Sequence, residues 1–262
     1  MMKKSLLRLW GTVGTILSLI GCHSIAGSTM EPEEFFTQPD VVDLARAAGR
    51  GDVQTIDRLV EEGVDVNSQG DKGMTALMWA LYRQDHAGFE ALLKHGANPN
   101  LHMVDGESVM SYAAAAPDVS FLRMTLEYGG DPNLRNPKNR LKPTPLFNAA
   151  EQGNLAAAKI LVEAGTDIET QDVMGYDAAS SAAGINQWHV ALFLLEAGAP
   201  LIDNASSMLF DLKRHNIGYA PGDIAFEARL EVARLLREKG LPVVLKVPYG
   251  APDNYNPNGG GR

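Results

Sequence analysis

Short apolar stripes at helical spacing recur along the chain, each followed by a polar stretch. Phe89, Leu92 and Leu93 form one stripe; Leu122, Met124 and Leu126 the next; then Ile160, Leu161 and Val162; then Leu192, Leu194 and Leu195. Residues three and four apart share one face of a helix, so each stripe predicts a helix with a single buried side. A glycine closes each unit: Gly63, Gly96, Gly129, Gly165 and Gly198, at intervals of 33, 33, 36 and 33 residues. That position suits the positive-φ residue that ends a helix. Thr75, Ser108 and Asp177 lie 12 residues after their glycines and Thr144 lies 15 after its own. All four are types whose side-chain oxygen caps a helix N-terminus, and Pro145 follows at the first helical position, where its missing N–H costs nothing. A first helix therefore starts at each cap and ends near Gln84, Pro117, Gly153 or Asn186. A second helix carries the stripe, and a loop leads to the next cap. Six helix pairs fit, over 41–62, 75–95, 108–128, 144–164, 177–197 and 207–239.

The loops repeat as well. They read Gly63-Val64-Asp65-Val66-Asn67, Gly96-Ala97-Asn98-Pro99-Asn100 and Gly129-Gly130-Asp131-Pro132-Asn133, with a weaker copy at Gly165-Thr166-Asp167-Ile168-Glu169. Because Asp65, Asp131 and Asp167 recur once per unit, they are read as architecture. Together with Thr75-Ala76-Leu77-Met78 and Thr144-Pro145-Leu146-Phe147, these motifs resemble the ankyrin repeat, at about 33 residues per unit. The resemblance implies an all-α ankyrin-repeat solenoid of about six helix pairs with projecting β-turn loops, covering residues 41–240, with irregular end units acting as caps. Where the family carries histidine in its Thr-Pro-Leu-His start, this chain has Met78, Ser111, Phe147 and Ser180. That implies somewhat softer stacking, offset by apolar contact at Met78 and Phe147. One loop is three residues longer and basic, with Arg135, Lys138, Arg140 and Lys142 between Asn133 and Thr144.

The N-terminus reads as an address. Lys3, Lys4 and Arg8 precede an uncharged run from Leu9 to Ile20, 12 residues long. As a helix this run spans about 18 Å, too short for a bilayer and suited to the apolar region of a signal peptide. It ends Leu19-Ile20-Gly21-Cys22, which resembles the bacterial lipobox. The resemblance implies cleavage after Gly21 and acylation of Cys22, the only cysteine. Two or three acyl chains anchor stably where one holds only marginally. Residue 23 is His rather than Asp, which by resemblance to enterobacterial sorting implies the outer membrane, facing the periplasm. The expected division is 1–21 signal peptide, 22–40 acylated cysteine and flexible tether, 41–240 repeat domain, and 241–262 a largely disordered tail.

Charge narrows the function. The chain carries 23 basic and 32 acidic residues, net −9, and loss of residues 1–21 removes three basic residues to leave net −12. Without a basic face, a nucleic-acid partner is not expected. His23, His86, His95, His102, His189 and His215 show no zinc-like spacing, and there is no nucleophile elbow or phosphate-binding glycine loop. No catalytic residue, metal or cofactor is therefore assigned, and the chain is read as a binding protein rather than an enzyme.

By the ankyrin resemblance, the variable face comprises Arg46 and Arg50; Trp79, Tyr82 and Arg83; Tyr112; and Asn148, Glu151 and Gln152. Loop tips add Asp71, Lys72, Met103, Asp105, Glu107, Arg135, Lys138, Arg140, Lys142, Met174 and Tyr176. Trp, Tyr and Arg are the types that dominate interface energetics. Ankyrin lipoproteins of this layout resemble immunity proteins paired with secreted antibacterial effectors, especially phospholipases of type VI secretion. The resemblance implies a lipase-type protein partner blocked by binding, with the membrane engaged through the acyl chains on Cys22. An envelope scaffold for a periplasmic enzyme such as a catalase is the alternative.

Overall fold

The computed structural model describes residues 30–200 and 220–257, except 140, 142, 242, 244, 246–248, 253 and 254. The signal peptide, Cys22, most of the tether, the first helix of the sixth pair, and Arg140 and Lys142 lie outside the described residues. The rest is an all-α repeat fold of eleven helices. These are α1 (Pro39–Ala48), α2 (Val53–Glu61), α3 (Ala76–Tyr82), α4 (His86–Lys94), α5 (Val109–Ala115), α6 (Ser120–Glu127), α7 (Pro145–Glu151), α8 (Leu155–Glu163), α9 (Ala178–Gly184), α10 (Trp188–Glu196) and α11 (Ile224–Glu238). No strand occurs among the described residues; an isolated antiparallel bridge joins Gln171 and Asp177. The described residues fall into two compact units: those up to 98 with 116–121, and 99–115 with those from 122 onward.

In the first unit α1 packs on α2 and α3, and α4 packs on α1, α2 and α3. Leu44, Ile56, Leu77, Leu81, Phe89 and Leu92 form its buried centre, and Phe89 meets Phe121 edge-on at 5.1 Å. In the second unit α7 contacts α5, α8 and α9, while α10 contacts α8, α9 and α11. Its core includes Met110, Leu122, Leu146, Leu161, Trp188 and Leu236.

The sequence punctuation is realised locally. Gly63, Gly96, Gly129, Gly165 and Gly198 have φ of 96°, 83°, 87°, 81° and 110°. Thr75 caps α3 through Met78 N–H at 3.1 Å, and Asp177 caps α9 through Ser180 N–H at 2.8 Å. Ser108 accepts from Ser111 N–H at 3.2 Å. Thr144 departs from expectation. Its own carbonyl takes the Phe147 N–H at 3.0 Å, and its hydroxyl is buried without a partner among the described residues. At the histidine positions, Met78 and Phe147 are buried, and the Ser111 hydroxyl donates back to Ser108 O at 2.9 Å.

A second set of caps is missing from the sequence reading. Asp52, Asp85 and Asn154 accept from the N–H groups of Thr55, Gly88 and Ala157 at the starts of α2, α4 and α8. Asp118 accepts from Ser120 N–H at 2.9 Å.

The loop asparagines form a ladder between repeats. Asn67 Nδ2 donates to Gly96 O at 3.2 Å, and its Oδ1 accepts from Asn98 N–H at 2.7 Å. In the second unit Asn100 repeats this on Gly129 O and Asp131 N–H, both at 2.9 Å. Asn133 keeps the accepting half, on Asp167 N–H at 2.8 Å. The aspartates work inside their own loops: Asp65, Asp131 and Asp167 each accept from the N–H two residues on, a local turn that fixes the loop conformation.

The end of the expected tether packs on the first unit. Residues 32–34 form a 3-10 turn, Phe36 is 3% exposed, and Phe35 O accepts from Asp71 N–H at 2.6 Å. The Pro and acidic residues of this stretch suggest flexibility, but Phe35 and Phe36 supply apolar area that packing recovers.

Candidate functional site

The residues expected on the binding face separate into exposed and buried groups. In the first unit, Arg46 comes from the last turn of α1, and Arg83 is the C-cap of α3. Arg46 pairs with Asp43 at 2.6 Å and with Glu33. Trp79 is a correction: it is 3% exposed, so its ring face is covered and only an edge of it borders the hollow beside Gly49. Its ring lies 5.9 Å from Phe35 and 5.5 Å from Tyr82, and residues 31–37 supply the cover that sequence assigned to a tether. Tyr82 is half-buried and Arg83 exposed. Glu31, Pro32, Arg46, Gly49, Arg50, Trp79 and Arg83 surround a cavity of about 90 Å³. The structure thus brings together Arg46, Trp79 and Arg83 around a hollow and not on a protruding patch.

In the second unit, Met103 and Tyr112 are also corrections, at 7% and 3% exposed. Met103 opens a tight turn in which its carbonyl accepts from Gly106 N–H and its N–H donates to Glu107 O. That pairing holds Met103 inward and projects Val104, which is 70% exposed. Asp105 is exposed, and its carboxylate accepts from Glu107 N–H at 3.0 Å. The turn at 172–175 is built the same way, with Gly175 N–H donating to Asp172 O at 3.1 Å. It exposes Val173 at 57%, Met174 at 68% and Tyr176 at 40%. Sequence reasoning missed Val104, Val173 and the half-exposed Leu141. The available signal was an apolar residue just before the Asp105-Gly106 and Met174-Gly175 turn residues.

Asn148 serves the framework, donating to Ser111 O at 3.2 Å. Glu151 and Gln152 are exposed, and the Ser181 hydroxyl donates to Glu151 at 3.1 Å. Although Glu151 is exposed as a residue, the protein groups packed around its carboxyl partly desolvate it and push it above its ordinary value despite that bond, with Asp172 and Glu107 adding like charge. Tyr112 is raised well above the usual phenol range, mainly by burial and then by Asp105 and Glu107.

The basic loop has an ordered base. Asn136 is buried, accepts from the N–H groups of Lys138 and Asn139 at 2.9 Å each, and donates to Glu107 at 2.7 Å. Arg135 and Lys138 project into solvent from it.

Two of the described histidines make contacts that serve structure. His95 contacts Asp57 at 2.6 Å, and His86 contacts Asp118 at 2.8 Å while stacking on Phe121. Among the described residues no group of three or more His, Cys, Asp or Glu could hold a metal ion. No helix among them is long and apolar enough to cross a membrane.

No curated protein matches the chain. A family model described as Ankyrin repeats (3 copies) matches it twice, over residues 44–136 and 110–205. Such repeats imply protein–protein interaction, and the family is typically a non-enzymatic binding scaffold. With well over half of its length matched, the chain belongs to the ankyrin-repeat family.

Proposed function

We propose that this protein is a lipid-anchored immunity protein, held at the periplasmic face of the outer membrane through Cys22, that neutralises a secreted phospholipase effector by binding it. The observation that carries the binding role is the pair of rigid turns in the second unit that expose Val104, Val173, Met174 and Tyr176. Apolar and aromatic tips on hydrogen-bonded turns lose little conformational entropy when a partner covers them. The anchor is supported by the Leu19-Ile20-Gly21-Cys22 motif, and the inhibitory role by the resemblance to ankyrin immunity lipoproteins. A phospholipase reaching the membrane from the periplasm meets an inhibitor tethered at the surface it attacks. An interface of about 1,600 Å² is the usual size for such a blockade.

The test is periplasmic expression of a candidate phospholipase effector with and without this chain. Survival is expected only with it, and is lost with Cys22→Ala. Val104→Asp with Met174→Asp is expected to abolish protection while the helical circular dichroism is retained. Full protection by that double variant would exclude these turns as the contact, and toxicity unchanged by the native chain would exclude the immunity role.

A further inference from the structure

We propose that the hollow bounded by Pro32, Gly49 and Trp79 is a carboxylate site that takes an acidic side chain of the partner protein. This deepens the binding role above and rests on it.

Three observations converge. Arg46 is neutralised by Glu33 and Asp43, whereas neither Arg50 nor Arg83, which line the same hollow, pairs with a carboxylate among the described residues. Trp79 is 3% exposed and lines it too. Its indole N–H can only donate; it finds no acceptor among the described residues and is not one of the buried unpartnered atoms, so it lies open to the hollow. Gly49 keeps the space open. With φ of −74° its backbone would accept any residue, but a Cβ there would stand 2.7 Å from Trp79 Nε1 and 2.9 Å from Arg83 Cγ. The glycine is therefore explained by room beside the indole N–H.

One donor-only N–H and two uncompensated guanidinium groups define an oxyanion site. A flat group with a single charge and two oxygens fits it. Glu31 at the rim and Glu33 beside Arg46 disfavour a dianion, and the chain's net charge of −9 disfavours an anionic bilayer. A glutamate or aspartate side chain on a protein meets these conditions.

The test follows the indole N–H signals of the ¹⁵N-labelled full chain by NMR, with Trp79 assigned from Trp79→Phe. The probe is an acetylated, amidated tetraglutamate peptide. Inorganic phosphate and phosphatidylglycerol vesicles are the parallel arms. The Trp79 signal is expected to shift saturably with the peptide. Arg50→Gln with Arg83→Gln is expected to weaken binding about tenfold, or ~1.4 kcal/mol. Both arginines are exposed, so this variant leaves the core intact. Trp188 serves as the internal control, because its N–H already donates to Asn186 at 2.7 Å. A Trp79 signal that does not respond, a response unchanged by the double substitution, or saturation at lower concentration by phosphate or vesicles each overturns the proposal. The titration needs no effector. Loss of the immunity role with a responsive Trp79 signal therefore leaves the site standing, and the reverse result removes the site alone.

Discussion

The carbonyl oxygen of Ala48, at the end of α1, lies 1.9 Å from where a Cβ on Gly88 of α4 would stand. The two helices approach this closely only because residue 88 has no side chain. Glycine inside a helix ordinarily costs about 1 kcal/mol relative to alanine. Here the sign reverses: Gly88→Ala should destabilise the first unit by about 1–3 kcal/mol through overpacking. Urea denaturation followed by circular dichroism measures this, and an unchanged or raised midpoint would contradict the close approach.

Asn100 makes two backbone bonds to the following loop with one side chain. Asn100→Ala removes both at a solvent-accessible position, where water replaces part of what is lost. The expected cost is about 1 kcal/mol. Asn100→Asp keeps the acceptor and loses the donor to Gly129, so its midpoint should fall between the native chain and the alanine variant.

Tyr112 buries a hydroxyl that has no partner among the described residues. Tyr112→Phe keeps the ring and removes the orphaned group. It should leave stability unchanged or raise it by up to about 1 kcal/mol. Tyr112→Ala should cost about 3–5 kcal/mol. A phenylalanine variant as damaged as the alanine one would show that the hydroxyl is satisfied in solution.

Partial desolvation by packed neighbours and like charge raise the Glu151 carboxyl in the folded chain, so the folded state holds that proton more tightly than the unfolded one. Ionised Glu151 therefore opposes folding above its folded value, and the penalty is relieved as pH falls through it. Glu151→Gln should raise the melting temperature at pH 7, and the gain should vanish near pH 4. Asp118 runs the other way. The Ser120 hydroxyl is the main group holding its carboxyl below the ordinary value, opposed by burial, with the Ser120 N–H and His86 adding to the lowering. Its stabilisation is full above the unfolded value and drains on further acidification. Asp118→Asn should flatten the acid limb of the melting curve.

Much of the repeat was legible because its signals are local. A glycine that must take positive φ, a cap three residues before the N–H it binds, and a stripe at helical spacing are each decided within a few residues. That is why Gly96, Thr75 and Pro145 were placed correctly. Thr144 failed for an equally local reason, a competing carbonyl that residue type does not reveal. The candidate site was less legible because exposure is set by partners distant in sequence. Trp79 reads as a surface anchor until residues 31–37 fold over it. Met103 and Val104 are both apolar neighbours in one turn, and only the hydrogen bonds of Met103 decide which of them faces solvent. The arginines around the hollow were each identified, but the space that joins them depends on Gly49, where no repeat signal points.

The asparagine ladder stops at Glu169. Asn67 and Asn100 clasp the glycine loop of the next repeat by both hydrogen bonds and Asn133 by the accepting one, whereas Glu169 occupies the next rung and, among the described residues, makes no bond to the loop at Gly198. The fourth and fifth repeats therefore lack a rung along this edge among the described residues and are held by packing and by the Ser181–Glu151 and His189–Gly153 bonds. Fraying is set by the weakest junction, so this seam should open first. Amide exchange in α9 and α10 should outpace that in α7 and α8, and under tension the repeats beyond residue 170 should peel away as a separate step.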